Sequence, residues 1–491
     1  MKRQLSFLLA AMLGLASPAL AKDTAIIGMV LEPPGLDPTS GAAAAIGEIT
    51  HYNIYEGLTK INGDGSVTPL LAESWTVSPD LKTITFKLRS GVTFQDGEAF
   101  SSADVKFSFE RAVAADSTNK DKAFFASLTK VDAIDPLTVA VTVADPNPDL
   151  LFKLGQPTAA IVDAKSASTN STKPVGTGPF RLEAWAKGSS LTLAKWDGFR
   201  APATIALKKV TFRIINDPAA QVTALLAGDI DAFPRFGAFQ SVAQFQNDPR
   251  FAVTLGGTEG KTILTINNKR PPFNDVRVRR AIAHAIDRKA IIDGAQNGFG
   301  TPIGSHYVPI DPGYIDLTGA YPFDIEKAKA LLAEAGVATP LNVTLSLPPP
   351  PYARQGGEIV AAQLAKIGII AKIENVEWAQ WLSAIFKGKN FDLTIISHVE
   401  PMDLGIYANP DYYFQYDSQA FRNIMARVAK APDAAMRLAA LGDAQRLLSS
   451  DAVNGFLFQL AQVTVADKKL KGLWKDSPVF ANDLSALSWE P

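Results

Sequence analysis

The chain has 491 residues, 47% hydrophobic, 20% charged and 9% aromatic, which is length for about three domain-sized units and too apolar a composition for a disordered chain. Its 48 lysines and arginines against 49 aspartates and glutamates leave a formal charge of −1, so there is no basic surplus with which to hold nucleic acid or an anionic bilayer. Cysteine is absent, which excludes disulfides, thiolate nucleophiles, cysteine-ligated zinc, iron–sulfur clusters and a lipid-modified cysteine anchor.

Lys2 and Arg3 precede an apolar run from Leu5 to Leu15, a break at Ser17-Pro18 and a small-x-small end at Ala19-Leu20-Ala21. This predicts a secretory signal peptide over 1–21, cleaved after Ala21, whose apolar run is too short to cross a bilayer. Later apolar stretches are broken by charge or proline, so the expectation is a soluble protein exported to the periplasm. Thr83 to Arg89 alternates apolar and polar residues, the period of a half-buried strand. Ser101-Ser102-Ala103-Asp104 then opens a capped helix through Val105, Phe109 and Ala112. Asn274 and Asp275 begin a helix predicted to run to Ile292 and stop at Gly294. Asp324 caps a third, to Gly336, and Glu358 to Ile367 forms a fourth, ended by Gly368. Pro348 to Pro351 reads as a stiff connector. Strands alternating with capped helices predict an α/β fold with partly parallel sheets. The lack of any long Gly/Ser linker favours lobes joined by short hinges.

A secreted α/β chain also fits a hydrolase, so catalytic motifs matter. There is no Gly-x-Ser-x-Gly elbow and no His-Glu-x-x-His pair. The four histidines, His51, His284, His306 and His398, are isolated in sequence and read as structural, not as metal ligands. Gly256 to Thr262 looks like a phosphate loop, but the position of its first glycine is Leu255, and the segment reads as a turn entering a strand. Glu400 and Asp403, three apart, are the pair a glycosidase reading would use. The expectation is a non-enzyme with no cofactor and no metal.

Several blocks together carry a resemblance: Tyr52 to Thr59, Pro69 to Trp75, Phe86 to Gly97, Asp104 to Phe109, Pro174 to Phe180, Phe273 to Ile282, Ala285 to Arg288 and Glu326 to Leu332. In this order over nearly the whole chain, they are similar to solute-binding protein family 5, the receptors of ABC importers for dipeptides, oligopeptides, nickel chelates and some sugars and opines. The resemblance implies a two-lobed periplasmic-binding-protein fold of the larger, three-subdomain type with a hinged ligand cleft. Lobe I would be residues 22–263 plus 462–491, with an extra subdomain at about 66–180; lobe II would be 264–461.

The resemblance further implies a lobe-II arginine holding a ligand carboxylate, and Arg354, fourteen residues before Gly368, matches by type and spacing. A ligand amine would meet Asp403, with Glu400 the second candidate, and Tyr407 and Trp378 would be cleft walls. The loop Ser397 to Tyr407 departs from the peptide receptors: Ser397-His398 stands for their Gly-Trp, and Leu404 for the proline after the aspartate. The expected function is capture of a small solute, a di- or oligopeptide first, and its delivery to a membrane permease by a monomer. Opines, oligosaccharides and nickel chelates are the alternative ligands, and a secreted hydrolase is the alternative of another class.

Overall fold

In the computed structural model residues 22–41, 43–431 and 433–490 are described, and the expected signal peptide at 1–21 lies outside them. Two long strands, Phe251–Ile266 and Gly455–Asp467, pair antiparallel and form the spine of an eleven-stranded sheet. They serve two neighbourhoods in turn. Ala232–Phe233 pairs with the far end of the second long strand; beyond it come Thr24–Met29, Lys209–Ile214, Ser190–Lys195 and Phe180–Ala186. Lys261 to Ile266 instead pairs with Leu393–His398, followed by Leu341–Leu347 and Ile369–Asn375. Each end contains parallel pairs, the result of helical crossovers, so the mixed α/β expectation holds.

Separate apolar cores follow this division. One gathers Ile27, Leu193 and Phe212; another gathers Leu264, Ile282, Leu345 and Leu364. An antiparallel four-stranded sheet, Ala72–Val77, Thr83–Leu88, Thr138–Val143 and Leu128–Asp135 in that order, has its own core around Phe86, Phe94 and Val105. The helix Ser102–Val113 contributes Val105 and Phe109 to that core. Its predicted cap is present: Asp104 returns a bond to the Ser101 backbone N–H at 2.8 Å.

Three local expectations are corrected. The helix predicted to run unbroken to Ile292 is two helices, Val276–Ala285 and Arg288–Gln296, because the Asp287 side chain accepts from the Ala290 N–H and starts a new cap. The second continues past Gly294 to a left-handed Asn297. The helix predicted from Glu358 begins at Pro351, since a proline at the first helical position loses no hydrogen bond; the proline run is thus an entry to a helix.

Gly256 to Thr262 is not a turn. It lies within the strand Phe251–Ile266, where the ladder slips register between Gly257 and Lys261 as the strand changes neighbours. Here the segment 475–477 crosses closely. Gly257 N–H donates to Asp476 Oδ1 at 2.7 Å, and Ser477 N–H donates to Gly257 O at 2.9 Å. A Cβ at Gly256 would lie 1.8 Å from the Lys475 carbonyl oxygen. Gly256→Ala is therefore expected to lower unfolding free energy by about 1–3 kcal/mol, as overpacking against backbone does. Gly319→Ala, where a Cβ meets nothing within 4 Å, should change it by less than about 0.5 kcal/mol; urea midpoints measured side by side check both.

Candidate ligand-binding site

The strand that changes neighbours carries an unusual residue at the change. Lys261 has a side chain with no solvent exposure, and its ammonium donates to the Glu400 carbonyl at 2.6 Å and faces Asp403 Oδ1 at 3.2 Å. A buried ammonium is stable only if it is hydrogen-bonded and paired. Burial alone would pull the Lys261 ammonium down; Asp403, Asp311 and Glu259 around it turn the shift upward, so it stays charged. Burial likewise pushes the Asp403 carboxyl up, but Lys261 and the His306 ring hold it far below the usual carboxylate range.

His306 and His398, isolated in sequence, meet here with ring centroids 5.1 Å apart. Asn454 Nδ2 donates to the Tyr407 hydroxyl at 2.9 Å, and the same hydroxyl bonds His306 Nδ1 at 3.0 Å. Ionised Asp403 has no hydrogen to give, so His306 Nε2 carries a proton and donates it to Asp403 Oδ2 at 3.2 Å. His398 Nε2 bonds the Tyr413 hydroxyl at 2.9 Å, and burial with His306 alongside depresses its ring to about 3, so it is neutral. Ligand atoms of His306, His398 and Asp403 lie within 4.8 Å of one another, a spacing that suits a metal ion, but the positive charge in this cluster is supplied by the Lys261 ammonium.

Beside this cluster, next to Glu400, lies a cavity of about 310 Å³. Thr258 to Gly260 and Leu460 to Val463 of the long strands form its back. Arg235, Phe236 and Phe480 lie on one side, Lys120, Asp121, Lys153 and Gln156 on another, and Val399 to Pro401 close the third. Its wall carries polar atoms without partners: Glu259 Oε2, Gln462 Oε1 and Gln156 Nε2, on residues at most 8% exposed. Such atoms cost free energy unless something enters to bond them. Arg437, on the helix Ala434–Ser450, forms an ion pair with Asp149, just before the short helix Leu150–Lys153. Met402, held at φ 52°, packs against the cluster of Tyr52, Ile61 and Phe152.

The residues singled out from the sequence are dispersed. Glu400 lines the cavity, its side chain 64% exposed. Asp403 is the nearest to its expected surroundings, yet it is sealed behind Glu400 and spent on Lys261 and His306. Tyr407 is fully buried in an aromatic core with Tyr413, Phe414 and Phe421, its hydroxyl bonded to Asn454 and His306. Trp378 is half exposed against Trp381 and away from the cavity lining. Arg354 is also absent from the lining; it pairs with Glu377 at 3.1 Å across the start of its helix. Sequence reading missed Glu259, Lys261, Arg235 and Asp311. The signal available for two of them was charge inside a β-branched, apolar strand, Glu259 and Lys261 just before Thr262-Ile263-Leu264.

With this geometry described, comparison with known proteins is informative. The model of the bacterial extracellular solute-binding proteins, family 5, matches residues 66–423. The chain belongs to that family. It is therefore a substrate-binding protein of the kind that serves ABC importers, and its two-lobed α/β fold is the family's. Glutathione-binding protein GsiB of Salmonella paratyphi A is 30% identical over 381 residues, 75% of this chain and 74% of the relative. Among solved structures, the binding protein AgaA in complex with agropinic acid, from A. tumefaciens R10, superposes with a TM-score of 0.79 at 28% identity, covering 95% of this chain and 99% of that one. DppA from Helicobacter pylori, in complex with the peptide STSA, gives 0.79 at 25% identity over 96% and 99%.

Two outcomes are expected from the cluster. Lys261→Met buries the Asp403 charge without a partner and should cost about 3–5 kcal/mol by chemical denaturation. His398, neutral when folded and ordinary when unfolded, takes up a proton on unfolding once the pH falls below 6.5. Its stabilisation is present above pH 6.5 and is lost as the pH falls towards about 3. His398→Gln should therefore flatten the decline of stability between pH 6 and 4 by about 1.4 kcal/mol per pH unit.

Proposed function

We propose that this receptor captures a short peptide or peptide-like conjugate in the cavity beside Lys261 and delivers it to a permease in the cytoplasmic membrane. In this reading the chain is exported to the periplasm with residues 1–21 removed, works as a monomer without a resident cofactor, and does no chemistry on its ligand. Lobe I, residues 22–263 and 462–491, closes on lobe II, residues 264–461, by bending at the register slip between Gly257 and Lys261.

The observation that carries the proposal is the cavity wall. It presents cations (Arg235, Lys120, Lys153), acids (Glu259, Glu400, Asp121), unpartnered amide atoms of Gln462 and Gln156, and the rings of Phe236, Phe239 and Phe480. A peptide brings a carboxylate, an ammonium, amide groups and apolar side chains, and this lining complements each. Arg235 is the carboxylate anchor of this reading: its guanidinium is oriented by Glu48 at 2.7 Å and Ser477 at 3.1 Å and stacks on Phe480. The GsiB relative is named for glutathione and the DppA structure holds a peptide, which supports a peptide-like solute. The AgaA complex supports a second reading, an opine acid held by the same arginine.

A thermal-shift screen against glutathione, di- and tripeptides, opines, oligosaccharides and nickel chelates tests this. A true ligand at a hundred times its Kd should stabilise by about 2.7 kcal/mol. Peptides are expected to do so, and stabilisation by opines alone selects the second reading. Arg235→Ala should weaken the ligand at least about tenfold, whereas Arg354→Ala should leave Kd unchanged. Cleavage of a bound peptide would overturn the receptor reading.

A further inference from the structure

Glu259 and Asp311 form a pair that the cavity description leaves unexplained. Glu259 is 6% exposed and Asp311 4%. Asp311 Oδ2 accepts the Val308 N–H at 2.8 Å, while Asp311 Oδ1 and Glu259 Oε2 have no donor from elsewhere. The two carboxyls are buried near each other, and each acts on the other's charge. Two neighbouring carboxyls that are both cut off from water do not both stay ionised, so the pair keeps one proton between them. The nearby ammonium does not remove the need: Lys261 is committed to Asp403 and to the Glu400 carbonyl. With His398 neutral, the carboxyls of Asp403, Glu259 and Asp311 crowd around one lysine, and the shared proton relieves the excess. Burial and the mutual repulsion of the pair push Glu259 upward, in agreement with this arrangement.

Resting on the peptide reading above, we infer that Glu259 is the seat of the ligand's ammonium group, and that a bound ammonium takes the place of the proton Glu259 shares with Asp311. Glu259 is the member of the pair that lines the cavity. The exchange balances: the protonated pair plus an ammonium gives two carboxylates, one ammonium salt bridge and a proton released to solvent. No bond other than that O–H breaks, and the charge of the cluster is the same before and after. The ligand class is thereby a primary or secondary ammonium, the end of a peptide that Arg235 does not hold. Other charged or titratable groups face the pair from each side: Lys261 on the same strand, Asp403 and Glu400 on the loop after Leu393–His398, Tyr307 on the loop of Asp311, and, beyond Tyr307, Arg437 with Asp149. Of these, Lys261 and Asp403 already neutralise each other.

Two measurements test this. Infrared spectra of the ligand-free protein at pH 7 should contain a protonated-carboxyl stretch that disappears in both E259Q and D311N; its absence from the wild type overturns the inference whether or not any peptide binds. Calorimetric titration with glutathione, in two buffers of different ionisation enthalpy, should show one proton released per glutathione bound, loss of that release in E259Q, and affinity rising with pH by up to about tenfold per unit. N-acetylated glutathione, which lacks the ammonium, should bind more weakly and release none. Glutathione binding with no proton release, or with equal affinity in E259Q, overturns the inference while leaving the receptor reading intact. Silence from both compounds counts against the peptide reading, and the infrared band then decides the shared proton by itself.

Discussion

A single buried ammonium organises the centre of this protein. Lys261 sits with no exposure on the strand that runs from one half of the sheet to the other, and an isolated charge there would be prohibitively unstable. It is tolerable because a loop from one side brings Asp403 and the Glu400 carbonyl to it, while its own strand and the loop at 303–317 bring Glu259 and Asp311. The same charge fixes the acids: Asp403 is held ionised, and Glu259 and Asp311 are left to share what remains. Removing it would leave three carboxyls crowded in a low-dielectric space where like charges cannot all persist.

That ammonium stands at the break in the ladder between the two long strands. Between Gly257 and Lys261 the ladder slips, and the backbone is supported from the side by Asp476 and Ser477 rather than by continuous pairing. The residues of the slip, Thr258 to Gly260, line the cavity, so the break in the ladder and the cavity share one stretch of chain. The Arg437–Asp149 ion pair and Met402, seated on the cluster of Tyr52 and Phe152, join segments far apart in sequence across this junction.

The aromatic segment from Tyr407 to Tyr416 does not line the cavity; it supports the cavity from beneath. Tyr407, Tyr413 and Phe414 pack with ring centroids under 5 Å apart for the Tyr407–Phe414 and Tyr413–Phe414 pairs, and their hydroxyls reach His306, His398 and Asn454. These bonds set the tautomer and orientation of the histidines that in turn hold Asp403. A polar network of this kind is worth more when fully satisfied than its parts suggest. It explains why a loop that departs from the peptide receptors at Ser397-His398 keeps its aspartate: here the aspartate secures the loop to Lys261.

What the sequence determined by itself was the class of protein. Period and capping residues are local, so the strand at Thr83, the helix capped by Ser101 and the helix capped by Asp324 were readable, and blocks of family resemblance spread over the chain carried the two-lobed fold. Spacing along the chain could not say which way a side chain faces once strands from distant segments meet. Arg354 matched by distance from Gly368, but its position on the helix that begins at Pro351 turns it to Glu377, and Trp378 stands beside the same surface. Only the tertiary structure brought Lys261, His306, His398 and Asp403, up to 142 residues apart in sequence, into one cluster. The reason is physical: burial and charge compensation are properties of a neighbourhood, and this neighbourhood is made by strands and loops that share no local signal.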